Sequence, residues 1–414
     1  MTTPEWQRTN PDCKVFVPQS LDKDSPDALN EHFLVFDGQD GSLMAVWTQS
    51  PAASGLPGGA QVNRMMFSRS TDEGETWSAP VKVAGPELGD TSWMASWGFP
   101  MVSQSGRIYA IYNCNRGQAG WIRMHTGTME GCYSDDLGAT WSEPQQIPMP
   151  KSPYDDPAGE CPPEWIVWQM PERDLQGRYF VGYSHWLHPD VAGLKRGEAH
   201  CWTEFESVCE FMRFMNIDDN PEPRDIRIKY SAWGDKALRV PHRRHPQVSC
   251  AQEPSIVRLP DNSLFCVMRT GSGYIWWSQS SDDGETWSSP APLLYEDHGS
   301  PLLNPVACDP IYRLSDGRYI ILYHNNPGGK DHGGAYDAMP RHPLYASIGT
   351  FQPDAQQPVW FTDAELLMTT HDDENGSLAM YSSFTSRNGI DVLWYPDSKN
   401  YLLGKKVNAT PSAR

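Results

Sequence analysis

Short runs of apolar and aromatic residues recur along the chain, and each follows a turn signal such as Asp40-Gly41 or Asp316-Gly317. Gly, Asn and Asp accept the dihedral angles of tight turns, whereas β-branched and aromatic residues favour strands. No apolar periodicity of helical length interrupts this pattern. The six runs are residues 42–47, 107–112, 178–183, 263–268, 318–323 and 390–395. The pattern therefore predicts an all-β protein built from repeated hairpins.

The second residues of the six turn pairs are 55 to 85 residues apart. A multi-strand unit that repeats at this length is typical of a β-propeller with four-stranded antiparallel blades. The longest interval, residues 177–262, has room for a further blade, with residues 226–230 and 237–240 as its strands. We therefore predict one propeller domain over residues 1–414, with its blades over about residues 28–403, six clear copies and space for a seventh.

Three segments share a tighter signature, Ser-x-Asp-x-Gly-x-Thr-Trp, at residues 70–77, 134–141 and 280–287. The Asp carboxylate can accept backbone N–H bonds across a turn, Gly permits positive φ, and Trp can fill the space between sheets. This signature is identified as the Asp-box, or BNR repeat, of sialidase-like propellers. The resemblance implies that the three Asp residues are structural, lie at the periphery and take no part in catalysis.

Composition and charge narrow the class of ligand. The chain has 17 Trp, 34 Gly and 36 Pro, which together indicate a large packed core without long helices. The net charge of −19 opposes binding to nucleic acid, but it allows an acidic substrate where a few Arg residues line a cleft. The charge therefore argues against a nucleic-acid partner, and the resemblance to sialidase-like propellers implies a carbohydrate ligand. We also expect a monomer.

The start of the chain bears on its location. Residues 1–17 are polar and lack the apolar core of a signal peptide, and no apolar run approaches the roughly 18 residues of a membrane span. We therefore expect no membrane partner and a cytoplasmic protein as the sequence stands, or a secreted one if a leader has been trimmed.

Two arginines stand in contexts similar to those of the sialidase arginines that clamp a substrate carboxylate. Arg269 lies in Val-Met-Arg-Thr-Gly, and Arg341 follows the Asn325-Asn326 pair in Met-Pro-Arg-His-Pro. A guanidinium fork can hold a carboxylate through two parallel hydrogen bonds. The first sialidase arginine, in an Arg-Ile-Pro motif, is missing, and residues 30–33 (Asn-Glu-His-Phe) stand in its place. This departure argues against a conventional sialidase.

The Asn-Glu-His-Phe opening, the strand at residues 42–49 and the Trp-Gly-Phe-Pro segment at residues 97–100 resemble another group of propellers. These are seven-bladed enzymes that act on L-rhamnose-α-1,4-D-glucuronate ends of gum arabic and arabinogalactan, as rhamnosidases or as lyases. The resemblance covers about residues 30–401 and implies seven blades. It favours an exo-acting polysaccharide lyase, which breaks the bond by β-elimination at the uronate.

Elimination requires that the uronate carboxylate be neutralised and that a base remove the proton at C5. Arg269 and Arg341 are the candidates for the first task. His185, which ends a predicted inner strand, is the first candidate for the base, with His125 and His32 as alternatives. Further candidates for substrate binding lie at the predicted strand ends: Trp97, Asn113, Gln252, Glu253, His324, Asn325, Tyr345 and Tyr381.

Two other functions stay open. A glycoside hydrolase, either a rhamnosidase or a sialidase-like enzyme, normally uses two carboxylates, for which Glu31, Glu253 and Asp309 are candidates without being marked as a pair. A non-catalytic glycan-binding propeller is the other alternative. We expect no organic cofactor and no zinc, because His and Cys do not cluster. A calcium ion at the axis stays open, since its oxygen ligands leave no spacing pattern to read.

Overall fold

The computed structural model describes residues 4–22, 25–51, 62–118, 122–195, 198, 202–328, 341–370, 378 and 381–408. These residues form 26 β-strands in six antiparallel sheets, and their helical segments are short 3₁₀ turns. The 3₁₀ turns are Glu5–Gln7, Trp202–Glu204, Ile217–Asp219, Pro223–Asp225 and Gly234–Lys236. Among the described residues, no helix has the length and apolarity needed to cross a membrane.

The six sheets are the blades of a propeller, and in each of them four strands pair in order from the axis outward. Blades 3 and 5 each have one further short strand outside that order. Blade 1 contains β2 (Asn30–Asp37), β3 (Leu43–Gln49), β4 (Arg64–Ser70) and β5 (Val81–Ala84). Blade 2 contains β6 (Met94–Val102), β7 (Ile108–Asn115), β8 (Thr128–Ser134) and β9 (Gln145–Gln146). Blade 3 contains β10 (Glu164–Ile166), β11 (Glu172–Arg173), β12 (Tyr179–Trp186), β13 (Ser207–Phe214) and β14 (Ile228–Ser231).

The remaining three blades follow the same plan, except that the sixth takes its outermost strand from the start of the chain. Blade 4 contains β15 (Ala251–Arg258), β16 (Leu264–Thr270), β17 (Trp276–Ser280) and β18 (Ala291–Pro292). Blade 5 contains β19 (Ile311–Arg313), β20 (Tyr319–Tyr323), β21 (Leu344–Phe351), β22 (Val359–Phe361) and β23 (Glu365–Met368). Blade 6 contains β24 (Ser383–Arg387), β25 (Ile390–Asp397), β26 (Tyr401–Val407) and β1 (Cys13–Phe16).

The all-β propeller with four-stranded antiparallel blades is confirmed, but the expectation of seven blades is wrong. The described residues of the long interval between residues 177 and 262 form no additional blade. Ile228–Ser231 instead forms β14, the outer strand of blade 3. Leu238 makes an isolated bridge to Cys209 of the same blade. The extra residues therefore form long connections within blade 3 and between blades 3 and 4.

The Asp-boxes are turn locks. In the first box Asp72 accepts hydrogen bonds from the Thr76 backbone N–H, 2.9 Å, and from the Ser70 hydroxyl, 2.8 Å. The Gly74 N–H donates to the Ser70 hydroxyl at 2.9 Å. The boxes at Asp136 and Asp282 repeat this network. The hydrogen bonds occupy the carboxylates within the turn, which agrees with a structural role.

Each Asp-box also joins its blade to the preceding one. The ring of Trp141 in blade 2 lies 5.5 Å from that of Phe67 in blade 1, and Trp287 in blade 4 stacks on Phe211 in blade 3 at 4.3 Å. Gly138 has φ of 85°, and a Cβ added to it would collide with the Phe67 ring. The glycine is therefore required twice, for its backbone angle and for the close approach of the neighbouring blade.

The ring is closed by strand pairing between the two ends of the chain. β1 pairs with β26 in antiparallel register, with Cys13 opposite Gly404. Arg8, which precedes β1, donates to both oxygens of the buried Asp397 at the end of β25, at 2.7 and 3.0 Å. Blade 6 is thus held by main-chain pairing and by a bidentate ion pair.

Candidate active site at the propeller axis

Three of the innermost strands contain a β-bulge near their start. The pairing register shifts at Glu31/Leu34 in β2, at Ser96/Phe99 in β6 and at Gln252/Ser255 in β15. The bulged residues are His32, Trp97 and Glu253, with φ of 51°, 56° and 50°. A bulge re-aims the side chain that carries it. The three side chains are buried, and the contacts below join them to one cluster, which we call the axial cluster.

Hydrogen bonds from a neighbouring blade hold the bulges. The Trp97 N–H donates to the Thr48 hydroxyl of blade 1 at 3.1 Å, and the Glu253 N–H donates to the Ser184 hydroxyl of blade 3 at 2.6 Å. Both hydroxyls come from the second strand of the preceding blade. These bonds satisfy buried donors that the bulge removes from the ladder, so each bulge depends on blade-to-blade packing.

At the centre of the axial cluster a tyrosine, a glutamate and an arginine meet. The Tyr381 hydroxyl donates to Glu253 Oε1 at 3.0 Å, and Arg269 Nη1 donates to the same oxygen at 2.7 Å and to the Tyr381 hydroxyl at 3.2 Å. All three side chains are almost fully buried. Burial and the Glu253 charge raise the pKa of Tyr381, while Arg269 and Arg341 oppose that rise. The hydroxyl is therefore neutral and has a carboxylate placed to accept its proton.

Arg341 lies close to the same group. Its Nη2 donates to the carbonyl of Val306 at 2.9 Å, and its charge acts on both Tyr381 and Cys308. Asp309, next to Cys308, is fully buried, and burial together with the Glu253 charge raises its pKa well above the usual range. The two arginines thus lie near Tyr381, with a carboxyl of raised pKa close by.

Aromatic rings and imidazoles form a wall of the axial cluster beside Tyr381. The Trp97 ring lies 5.0 Å from His32, 5.5 Å from His125 and 5.1 Å from Tyr381. His125 stacks on Trp186 at 4.5 Å. Such a wall can pack against the apolar face of a sugar ring while the arginines engage its charged group.

The two axial imidazoles are neutral. Burial lowers the pKa of His32 to about 3, against a backbone hydrogen bond involving Trp168. Burial lowers the pKa of His125 to about 3 as well, and the charges of Arg269 and Lys399 add to the effect. A neutral imidazole with so low a pKa is a weak base, so these groups are better suited to hydrogen bonding than to proton abstraction at neutral pH.

The structure places His185 in a different cluster. Alternation along β12 puts it on the face opposite Trp186, where Nδ1 lies 2.9 Å from Glu210 and Nε2 lies 3.0 Å from Asp155. Burial lowers the pKa of His185, but the bonds to both carboxylates outweigh it and raise the pKa to about 9. The ring is thus a paired imidazolium away from the axial cluster.

Two further predicted residues, Asn113 and Gln252, bond to the segments around the cluster. Asn113 donates to the carbonyls of His125 and Trp165 at 2.7 and 2.9 Å. Gln252 donates to the carbonyl of Thr203 and to the Ser207 hydroxyl, at 3.1 and 3.0 Å. These bonds fix the segments that carry His125 and β13.

The other predicted residues belong to blade 5. His324 Nδ1 lies 3.0 Å from the Pro343 carbonyl, two residues after Arg341, and burial lowers its pKa to about 3. Asn325 follows it with φ of 50°. Tyr345 lies in β21 opposite Tyr323. β21 is one strand farther out than β20, which ends just before His324. Tyr345 is therefore farther from the axis than Tyr381.

Sequence reasoning missed Trp186 and Lys399. Trp186 adjoins His185, and the strand alternation that turns one residue away turns the other toward the axis. Lys399 lies between β25 and β26, and its ammonium is 5.3 Å from the centre of the Tyr381 ring. Arg269 and His185 were predicted because each lies at the end of the second strand of its blade. Lys399 follows the second strand of blade 6 in the same way, and this position is the signal that could have identified it.

Within the described ranges, one set of three side chains lies close enough together to hold a cation: Asp156, His188 and Asp190. The Asp156 carboxylate already accepts backbone N–H bonds from Ala158, Glu160 and Cys161, and Asp190 is exposed. These bonds account for Asp156 without an ion, so we assign no metal site there.

Comparisons with known proteins agree with this architecture. Residues 41–392 match the family described as BNR repeat-like domain. No curated protein matches the sequence. Among solved structures, the intramolecular trans-sialidase of Ruminococcus gnavus is 14% identical with a TM-score of 0.60, covering 96% of this chain and 97% of that one. NanB sialidase from Streptococcus pneumoniae is 13% identical with a TM-score of 0.62, covering 95% and 69%. A protein of unknown function from Dyadobacter fermentans is 13% identical with a TM-score of 0.57, covering 96% and 97%.

Proposed function

The chain belongs to the family of BNR repeat-like domains, and from its axial cluster we propose that it is an exo-acting carbohydrate enzyme that cleaves a terminal acidic sugar. The observation that carries the proposal is the buried Tyr381–Glu253 hydrogen bond beside Arg269. A tyrosine with a carboxylate acceptor is an activated oxygen, and its arginine neighbours attract an anion. The sialidases among the similar structures share the fold and are consistent with a sugar ligand.

Hydrolysis through Tyr381 is the reaction that this geometry supports best. The sugar carboxylate binds between Arg269 and Arg341, with the ring against Trp97. The Tyr381 oxygen bonds to the anomeric carbon as its proton passes to Glu253, and the bond from that carbon to the glycosidic oxygen breaks. The leaving oxygen takes a proton from water, and the hydroxide left behind takes the proton from Glu253. A second water then releases the sugar from Tyr381. Tyrosine nucleophiles are known in sialidases, where a second anionic nucleophile would be repelled by the substrate carboxylate.

Elimination from a rhamnosyl-glucuronate end is the second candidate. It is supported by the resemblance at residues 30–33 and by the two arginines, which would neutralise the uronate carboxylate. In this reaction Tyr381 passes its own proton to Glu253 and takes the proton at C5, and the C5–H electrons form the C4–C5 double bond. The C4–O4 bond breaks, and the leaving O4 takes a proton from water, whose hydroxide takes the proton from Glu253. The same three side chains would therefore serve either reaction, and the product distinguishes them.

One product assay tests both candidates. The purified protein is incubated with gum arabic and, separately, with 3′-sialyllactose. Hydrolysis releases a free sugar without a new ultraviolet chromophore, whereas elimination produces the absorbance of an unsaturated uronate. Binding to either glycan without any product contradicts the enzymatic proposal and favours a glycan-binding propeller.

The variant Tyr381→Phe tests the role of the hydroxyl. We expect turnover to fall on the order of a thousandfold or more, because the reacting oxygen is gone. Tyr109→Phe is the matched control, since it also removes a hydroxyl from a buried tyrosine, one that bonds the Pro221 carbonyl between blades 2 and 3. Unchanged turnover in Tyr381→Phe would remove this residue from the chemistry.

Arg269→Ala should also abolish turnover. This variant is a less specific test, because it leaves the buried Glu253 carboxylate without its ion-pair partner.

A further inference from the structure

Lys399 is held at the axial face by two consecutive residues of blade 1. The Asn30 N–H donates to the Lys399 carbonyl at 2.6 Å, and the Asn30 side chain donates to the Asn400 carbonyl at 3.1 Å. The next residue, Glu31, forms an ion pair with the Lys399 ammonium. Ser398 and Lys399 both have positive φ, 50° and 56°. Backbone strain, two backbone bonds and a charge pair thus fix one lysine in a short turn.

The ammonium faces the axial cluster from its solvent side. It lies 5.3 Å from the centre of the Tyr381 ring, and its charge, like that of Arg269, depresses the pKa of His125. The Lys399 side chain is 41% exposed, whereas that of Arg269 is 1% exposed. A ligand that approaches Tyr381 from solvent therefore meets Lys399 before it meets Arg269.

We propose that Lys399 is a specificity-determining residue that binds the anionic group of the sugar together with Arg269 and Arg341, with Glu31 as its partner when no ligand is bound. This inference rests on the proposed function and names a residue of the same site. Glu31 carries the same charge as the ligand carboxylate and pairs with the ammonium that the ligand carboxylate would bind. An ammonium has three donors, so Lys399 can bind a ligand carboxylate while it keeps one bond to Glu31.

The chemistry favours this role over a purely structural one. Arg269 is already bonded to Glu253 and Tyr381, so its remaining donors reach the ligand only from inside the cluster. The lysine ammonium is a point charge on a long side chain, which suits capture of an anion at the exposed edge of the cluster. In a chain of net charge −19, a local cation at the entrance is also needed to offset general repulsion of an acidic sugar.

The test is calorimetric binding of two pairs of probes: D-glucuronate with D-glucuronamide, and N-acetylneuraminate with its methyl ester. Each pair differs in the charge of one group. We expect Lys399→Met to weaken binding of the acid about tenfold or more and to leave binding of the neutral partner unchanged. Lys399→Arg should retain the preference for the acid. Glu31→Gln should bind the acid at least as tightly as the wild type, because the competing carboxylate is gone.

Lys82→Met is the matched control, because Lys82 also pairs with a carboxylate, that of Glu87, but lies on the outer strand of blade 1. It should leave both affinities unchanged. A wild-type preference for the acid that persists in Lys399→Met overturns the role of Lys399 and leaves the arginine site intact. A wild type without any preference for the acid, or without binding, overturns the acidic-sugar site itself and this role with it. Equal loss of both affinities in Lys399→Met, together with a lower melting temperature, would show that the residue is only structural.

Discussion

Tyr381 shows how one side chain acquires reactivity from residues far away in sequence. Its hydroxyl meets Glu253 of blade 4 and Arg269 of the same blade, while its carbonyl accepts the Phe33 N–H of blade 1 at 3.0 Å. The sequence marked Arg269 and Tyr381 only through the resemblance of their contexts. It could not reveal that Glu253 lies between them, because only closure of the ring brings blades 4 and 6 together.

His185 gives a prediction at the residue scale. Its folded-state pKa of about 9 lies above the value of 6.5 for an unperturbed histidine. The pairing therefore stabilises the fold fully below about pH 6.5, and the contribution is lost as pH rises through 9. We expect the free energy of unfolding of the wild type to exceed that of His185→Gln by about 3 kcal/mol at most at pH 6, with the difference shrinking toward pH 10.

Denaturant unfolding at several pH values measures this difference. His298→Gln is a suitable control, because His298 is exposed. A gap between wild type and His185→Gln that stays constant from pH 6 to pH 10 would contradict the ion-pair assignment.

At the scale of single elements, the β-bulges of the inner strands are the feature that the sequence did not predict. His, Trp and Glu rarely adopt positive φ, so His32, Trp97 and Glu253 read as ordinary strand residues. A search for Gly and Asn, the usual residues at positive φ, could therefore not have predicted these bulges. The strands themselves were predictable, because their β-branched and aromatic composition is local information, whereas a bulge is set by the neighbouring blade.

The Asp-box glycines give a prediction at this scale. Gly138→Ala should destabilise the protein by about 2–4 kcal/mol, because the methyl group adds a clash with Phe67 to the strain of positive φ. Gly41→Ala is the control. Gly41 has φ of 81° but nothing within 4 Å of an added Cβ, so it should cost only about 1–2 kcal/mol.

The free energy of unfolding from urea titration measures both variants. Equal losses would mean that backbone strain alone explains the glycine and that the blades do not press on each other at this point.

At the scale of the whole molecule, the number of blades was the least predictable property. The turn pairs identified six repeats correctly, and the seventh blade was an expectation from the resemblance and from the long interval at residues 177–262. Residues 226–230 and 237–240 have strand-like composition, yet blade 3 needed only one more strand, β14, to be complete. Composition indicates that a segment can be a strand, but pairing depends on which sheet still has an open edge.

Ring closure gives a prediction at this scale. Arg8→Met removes the partner of the buried Asp397, and we expect it to lower the stability of the whole propeller by about 1–3 kcal/mol. Arg224→Met is the control, since Arg224 and its partner Asp225 are both largely exposed. Thermal unfolding should show one cooperative transition at a lower temperature for Arg8→Met. A separate early transition, with the main one unmoved, would mean that blade 6 opens independently of the others.

The pairing of β1 with β26 also imposes an order on synthesis. Residues 13–16 emerge from the ribosome first, but the strand that receives them is among the last to be made. Throughout elongation this segment must wait without its native neighbour while five complete blades accumulate behind it. A ribosome that stalled before Tyr401 would therefore hold a nascent chain with most of its sheets folded and its circle still open.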